Sequence, residues 1–210
     1  MGHGLVANLG SAKLSNRWPV ASNSVSKLTE EEYLTLDRAA EFRHEFLDGE
    51  MFARSGGSMA HSRLQTNIIT AVYTPLRDHG CEAFASDCRV RVSSRMYVYP
   101  DVSVVCGQPL LADDHKDILL NPVAIFEVLS PTTGKYDRGV KFQHYRTIES
   151  LKEYILVDQD QVRIEQYTRQ DGNIWTLRDH QGLEEELTMN SIGVSLPLTR
   201  IYDRVELAAG

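Results

Sequence analysis

The clearest period in the chain runs from His61 to about His79, where Leu64, Ile68, Val72 and Leu76 recur every four residues before Gly80. That spacing predicts an amphipathic helix with one apolar stripe and a glycine stop. Upstream, Thr29 stands three residues before Glu32, a capping-box spacing that predicts a helix start. His44–Leu47 and Glu50–Ala53 flank Asp48-Gly49, which supplies the positive φ of a tight hairpin turn, and Gly56-Gly57-Ser58 breaks the chain again. Further on, Cys88, Val90 and Val92 alternate with Arg89, Arg91 and Ser93, a half-buried strand with its polar set toward solvent. Asp101–Cys106 and Val123–Leu129 are short Val/Ile-rich runs bounded by proline and polar loops, and they read as central strands. Gly139–Ile148 reads as a helix and Glu153–Val157 as a strand. Val162–Thr168 and Ile174–Arg178 read as a second hairpin through Asp171-Gly172, while Leu196–Leu207 fits no single period. Residues 1–27 show no sustained period and read as a flexible arm ahead of one domain over 28–210. The order helix, three strands, helix, strand, with hairpins outside, predicts an α/β fold around a mixed central sheet.

Composition narrows the class. The 210 residues are 42% hydrophobic and 24% charged, ordinary for a globular chain that buries a core. No apolar run approaches the ~18 residues of a membrane helix, and no charged segment followed by an apolar one suggests a secretory leader. Cys81, Cys88 and Cys106 match neither a disulfide rhythm nor a zinc spacing, so free thiols in a reducing cytoplasm are expected. The net charge of −7 is unevenly spread. Residues 148–210 carry 6 Lys/Arg against 12 Asp/Glu, whereas residues 84–147 carry 8 against 7. The middle third, with Arg89, Arg91, Arg95, Lys135, Arg138, Lys141 and Arg146, therefore leaves room for a local basic surface but not for a wholly basic face.

Three residues stand out chemically. Alternation puts Glu127 on one face of its strand between Ile125 and Leu129, where an ionised carboxylate is costly unless paired. Asp101 enters the preceding strand after Pro100 and shares a face with Ser103 and Val105. If those strands pair, the two carboxylates converge at one end of the sheet, repel, and favour a hard divalent cation bound through oxygen. Lys141 precedes Tyr145 and Ile148 at i+4 and i+7, on the stripe that packs toward the sheet. It either snorkels at the edge or points its ammonium at the carboxylates. Two acids, a cation and a lysine are the parts that phosphodiester hydrolysis needs. The bland alternative makes Glu127 a structural bridge to Arg138 or Arg146 and Lys141 a solvated helix lysine.

The arrangement resembles the PD-(D/E)xK nuclease superfamily and, within it, the Uma-type restriction-endonuclease-like family. The matching pieces are His44–Glu50, His61 opening a helix, Pro100–Val105, Phe126–Thr132, Asp137-Arg138 with Lys141 and Tyr145, and Glu153–Asp158, together spanning about residues 28–205. The resemblance implies a restriction-endonuclease-like core, a central mixed β-sheet flanked by helices and extra hairpins, with a magnesium- or manganese-dependent nuclease site. Asp101 and Glu127 would be metal ligands together with the backbone carbonyl of Val128. Lys141 would replace the motif's lysine, because position 129 is Leu129. Glu45 would add a further ligand or water contact, with His61 and Tyr145 as accessory residues. Ile155 departs from the tryptophan usual after Glu-Tyr, a change of packing more than of chemistry. The expected partner is nucleic acid, DNA rather than RNA, cut by a cytoplasmic homodimer. Two other functions compete: a nuclease-fold protein without catalysis that binds nucleic acid or another partner, and a cysteine hydrolase using Cys81 or Cys106, for which no local Cys-His motif speaks.

Overall fold

The computed structural model describes residues 27–54 and 56–207, so the arm expected over residues 1–27 lies, Lys27 apart, outside the described residues. In chain order the elements are α1 (Glu30–Ala39), β1 (His44–Leu47), β2 (Glu50–Ala53), α2 (Met59–Asp78), β3 (Cys81–Ala85), β4 (Arg89–Ser93), β5 (Met96–Val98), β6 (Val102–Cys106), β7 (Ile118–Leu119) and β8 (Ala124–Leu129). There follow α3 (Gly134–Tyr136), a π-helical turn over Asp137–Lys141, α4 (Phe142–Tyr145), β9 (Glu153–Asp158), β10 (Arg163–Arg169), β11 (Trp175–Gln181), β12 (Glu186–Met189), β13 (Val194–Pro197) and α5 (Leu198–Ile201).

Local chemistry sets the ends of these elements. Thr29 and Glu32 close the capping box of α1, and the Ser58 hydroxyl accepts the His61 N–H to start α2. Asp48 and Gly49 turn the first hairpin with φ of 52° and 92°. The main sheet has the order β11-β10-β9-β8-β6-β3, and β8 with β9 is its parallel pair. A second sheet, β2-β1-β5-β4-β7, carries Glu45, and β12 with β13 forms a separate hairpin. Leu64, Ile68, Val72 and Leu76 of α2 lie against Val104, Phe126, Val128 and Ile155, on one face of the main sheet. Each such side chain contributes roughly 1.5–3 kcal/mol when fully buried. Ile125, Leu129 and Leu156 face the other way, against Tyr145 and Ile148. The helix expected over Gly139–Ile148 instead begins at Gly134, and the π turn interrupts it before it ends at Tyr145.

Two expectations are corrected. Cys81 and Cys106 are register partners on antiparallel β3 and β6, and they are joined in a disulfide; Cys88 is the free cysteine among the described residues. Sequence spacing could not show this, because the pairing is created by the sheet register. The bond also leaves neither cysteine as the free thiol that a hydrolase needs. Arg89 is not on the solvent side of β4 but buried, because α1 covers that face and supplies Asp37. Its guanidinium donates to Asp37 Oδ2 at 2.5 Å, to Asp117 Oδ2 at 3.1 Å and to the Tyr99 hydroxyl at 2.8 Å. With Arg89 and Lys141 buried and Arg138 held by Glu165, the basic surface allowed by the charge count loses three of its seven members.

Candidate functional site

β6 and β8 pair antiparallel with Val102 opposite Phe126, so the next step along that register sets Asp101 opposite Glu127. Asp101 stands just outside β6, where its side chain replaces the missing ladder: its Oδ2 accepts the Val128 N–H at 2.7 Å. Its Oδ1 accepts from Gln65 Nε2 at 2.6 Å and faces Arg54 NH2 at 3.3 Å. His61 Nε2 lies 3.4 Å from Oδ2. Gly57 makes room for that ring, since a Cβ there would meet His61 Nδ1 at 2.7 Å.

Glu127 is reached from the other side. Lys141 Nζ donates to its Oε1 at 3.0 Å, and the Tyr145 hydroxyl donates to the same oxygen at 2.9 Å. The ammonium also lies 3.1 Å from Glu45 Oε1 and 3.5 Å from Asp137 Oδ1. The hairpin β1-β2 thus brings Glu45 from the second sheet, and the π turn places Asp137 and Lys141 together. Glu45, Asp101, Glu127, Asp137, Lys141, Arg54 and His61 all line one cavity of about 300 Å³.

Burial governs the electrostatics. It pushes the Glu127 carboxyl up to about 8, with Lys141 opposing and Asp101, Asp137 and Glu45 adding to the rise. Asp137 is raised for the same reason, again against Lys141. Burial alone would lower Lys141, but Glu127, Glu45 and Asp137 hold the ammonium charged well beyond its ordinary range. Asp101 behaves differently: burial works to raise it, yet His61, the Val128 N–H and Arg54 overcome that and keep it below the usual carboxylate value. The site therefore pairs a carboxylate held ionised with one that retains a proton near neutrality.

Among the residues singled out from sequence, Asp101, Glu127, Lys141, Glu45 and His61 line the cavity, and Tyr145 reaches it through Glu127. Val128 is present through its N–H on Asp101. Its carbonyl leaves the strand on the same edge, as N–H and C=O of one strand residue do. The bland bridge does not form: Arg138 pairs with Glu165 at 2.8 Å and Lys141 takes Glu127. Sequence reading missed Arg54, Gln65 and Asp137 as members of the site. Gln65 follows His61 by four, and Asp137 precedes Lys141 by four, so helical spacing was the available signal. Nothing local marks Arg54. Among the described residues, no three His, Cys, Asp or Glu side chains form a ready-made cation cage.

A family model described as "Uma2: Putative restriction endonuclease" matches residues 30–199. The chain belongs to the Uma2 family. Two relatives of this Uma2 chain come from Synechocystis sp. (strain ATCC 27184 / PCC 6803 / Kazusa). "Uncharacterized protein slr1290" is 35% identical over 179 residues, 84% of this chain and 92% of the relative. "Uncharacterized protein sll1609" is 36% identical over 161 residues, 76% of this chain and 91% of the relative. A solved structure, "a putative nuclease belonging to DUF820" from Anabaena variabilis ATCC 29413, superposes with a TM-score of 0.69 at 18% identity. That likeness covers 83% of this chain and 97% of the other, and at this identity it speaks for the fold. The Uma2 chain has the mixed sheets and flanking helices of a restriction-endonuclease-like α/β core, and its family sets it among nuclease-like proteins. Among the described residues, no helix is long and apolar enough to cross a membrane.

Proposed function

We propose that this Uma2 protein is a metal-dependent endonuclease hydrolysing phosphodiester bonds of DNA, with magnesium or manganese held by Asp101, Glu127 and the Val128 carbonyl. One observation carries the reading: Asp101 and Glu127, from adjoining ends of β6 and β8, line one cavity with the Lys141 ammonium 3.0 Å from Glu127. The donor set fits such a cation. Glu45, Asp101, Glu127 and Asp137 bring four negative charges when ionised, against one positive charge each on Arg54 and Lys141, an excess of two. Carboxylate and carbonyl oxygens are the ligands that magnesium and manganese take. When bound, the cation would polarise a phosphate oxygen and lower the pKa of an attacking water. The chain's own residues supply the rest. Lys141 and Tyr145 both hold Glu127 Oε1 and leave Oε2 outside those two bonds. The ammonium of Lys141 offsets negative charge that grows on the phosphate. Glu45 and Asp137 hold that ammonium in place.

Supercoiled plasmid incubated with magnesium or manganese is expected to be nicked, and chelator, Asp101→Ala or Glu127→Ala to abolish the nicking. Unchanged activity in both variants removes the assignment. A second reading, a catalytically inactive nuclease-fold protein that binds nucleic acid or another partner, is favoured by Lys141 itself, which lies between three carboxylates on the side where a cation would approach. Filter binding of DNA without cleavage, independent of metal, would select it. Cutting both strands would call for a symmetric pair of sites, which makes a homodimer the proposed working unit. A cytoplasmic location is proposed with it, and the redox state of Cys81 and Cys106 in cells, read by alkylation, tests that placement.

A further inference from the structure

Asp101 accepts three hydrogen bonds, from Val128 N–H, Gln65 and Arg54, and His61 Nε2 lies 3.4 Å from its Oδ2, so little of the carboxylate's accepting capacity is left. Val128 N–H at 2.7 Å and Gln65 Nε2 at 2.6 Å are short, neutral and fixed in β8 and α2. Arg54 differs on every count. It is charged, its contact with Oδ1 is the longer 3.3 Å, and its side chain is 27% exposed where that of Asp101 is 3%. Apart from Asp101, its guanidinium touches the Ser86 carbonyl at 2.9 Å and lies over the Tyr99 ring. Lys141, the other fixed cation of the cavity, is shared among three carboxylates at 3.0, 3.1 and 3.5 Å, whereas Arg54 faces Asp101 alone among the carboxylates of the cavity.

We propose that Arg54 competes with the divalent cation for Oδ1 of Asp101 and, once displaced, takes a phosphate oxygen of the substrate. The inference rests on the metal-dependent reading above. A dication and a guanidinium on one carboxylate oxygen repel each other, and Gln65 leaves that oxygen a single further position. A phosphodiester offers the released guanidinium a planar pair of acceptors, which suits its forked donors. Cation binding frees Arg54 for the phosphate, and phosphate binding clears Asp101 for the cation. The two ligands thereby strengthen each other, reciprocally.

The test is manganese binding by calorimetry on the full chain, comparing wild type, Arg54→Gln, Arg54→Lys and Asp101→Asn, followed by retention of a cleavage-resistant phosphorothioate DNA duplex in manganese. Arg54→Gln is expected to bind manganese about tenfold tighter, within the usual range of coupling between sites, and to hold the duplex several-fold more weakly. Arg54→Lys, which keeps the charge, is expected to bind manganese like wild type. Unchanged or weaker manganese binding by Arg54→Gln overturns the competition, as does equal tightening by Arg54→Lys. Equal duplex retention by Arg54→Gln and wild type overturns the transfer to phosphate. If wild type binds no manganese, or Asp101→Asn binds it as well as wild type does, the metal-site reading fails and takes this inference with it.

Discussion

Replacing Lys141 by methionine removes the one cation that lies within 3.0, 3.1 and 3.5 Å of Glu127, Glu45 and Asp137, and keeps most of the side chain's volume. Burial already raises Glu127 to about 8, so one proton resides in the cluster near neutrality. Without the ammonium, a second carboxyl must take a proton for the fold to persist. Protonating a group of unfolded pKa ~4.3 at pH 7 costs about 1.36 × 2.7, or roughly 3.7 kcal/mol; at pH 5 the cost is about 1 kcal/mol. The sign follows from proton uptake. Wild-type Lys141 has a raised folded pKa, so its contribution is fully present below the unfolded lysine value, across the neutral range. On folding the variant takes up one more proton than wild type does, so its stability falls faster with rising pH, by about 1.36 kcal/mol per unit. Urea unfolding of both proteins at pH 5, 6, 7 and 8, followed by circular dichroism, measures that slope. Asp137→Asn added to Lys141→Met supplies neutrality without a proton and is expected to flatten it. A deficit that stays constant between pH 5 and 8, or below about 1 kcal/mol at pH 8, would mean that no second carboxyl is protonated in the folded variant.

Asp37→Ala removes the buried partner of Arg89 and leaves it only the more exposed Asp117, and is expected to cost up to about 3 kcal/mol in urea unfolding, with Asp37→Ala/Arg89→Met recovering part of it; strict additivity would contradict a paired burial. Burial works to raise Asp37, but Tyr99 and Arg89 hold it low, so its contribution is present above the unfolded value of ~3.9 and fades as acid protonates it, and the gap to Asp37→Ala should narrow below about pH 4. Reducing the Cys81–Cys106 bond, which spans 25 residues, is expected to lower stability by roughly 3.5 kcal/mol in the loop-entropy account, and a melting temperature indifferent to reductant would contradict it.

The elements that local chemistry specifies were legible in advance. The capping box at Thr29, the Asp48-Gly49 turn and the four-residue period of α2 each depend on neighbours within a turn or two, and each forms where expected. The paired strands β6 and β8 were legible too, since a run buried on both faces is apolar throughout, and that made Glu127 conspicuous. Boundaries near the site were not. Asp101 lies just outside β6 because its carboxylate, instead of a strand partner, accepts the Val128 N–H. The π turn at Asp137–Lys141 brings the Lys141 ammonium 3.5 Å from Asp137 Oδ1, a buried pairing that no propensity describes.

What the chain's order of residues determined is therefore the set of elements and the unusual chemistry carried on them: a carboxylate between apolar neighbours, a second beside Pro100, a lysine on an inward stripe. Those follow from periods of two and 3.6 residues, which any local window contains. Only the tertiary structure decided that Glu45 crosses from the second sheet to Lys141, that Arg54 and Gln65 share one oxygen of Asp101, that Arg89 is buried, and that Cys81 meets Cys106. Glu45 with Lys141, Arg54 and Gln65 with Asp101, Arg89 with Asp37, and Cys81 with Cys106 each join residues at least 25 positions apart. Such contacts arise from how strands pair and layers stack, and that geometry is a property of the whole packed chain rather than of any segment of it.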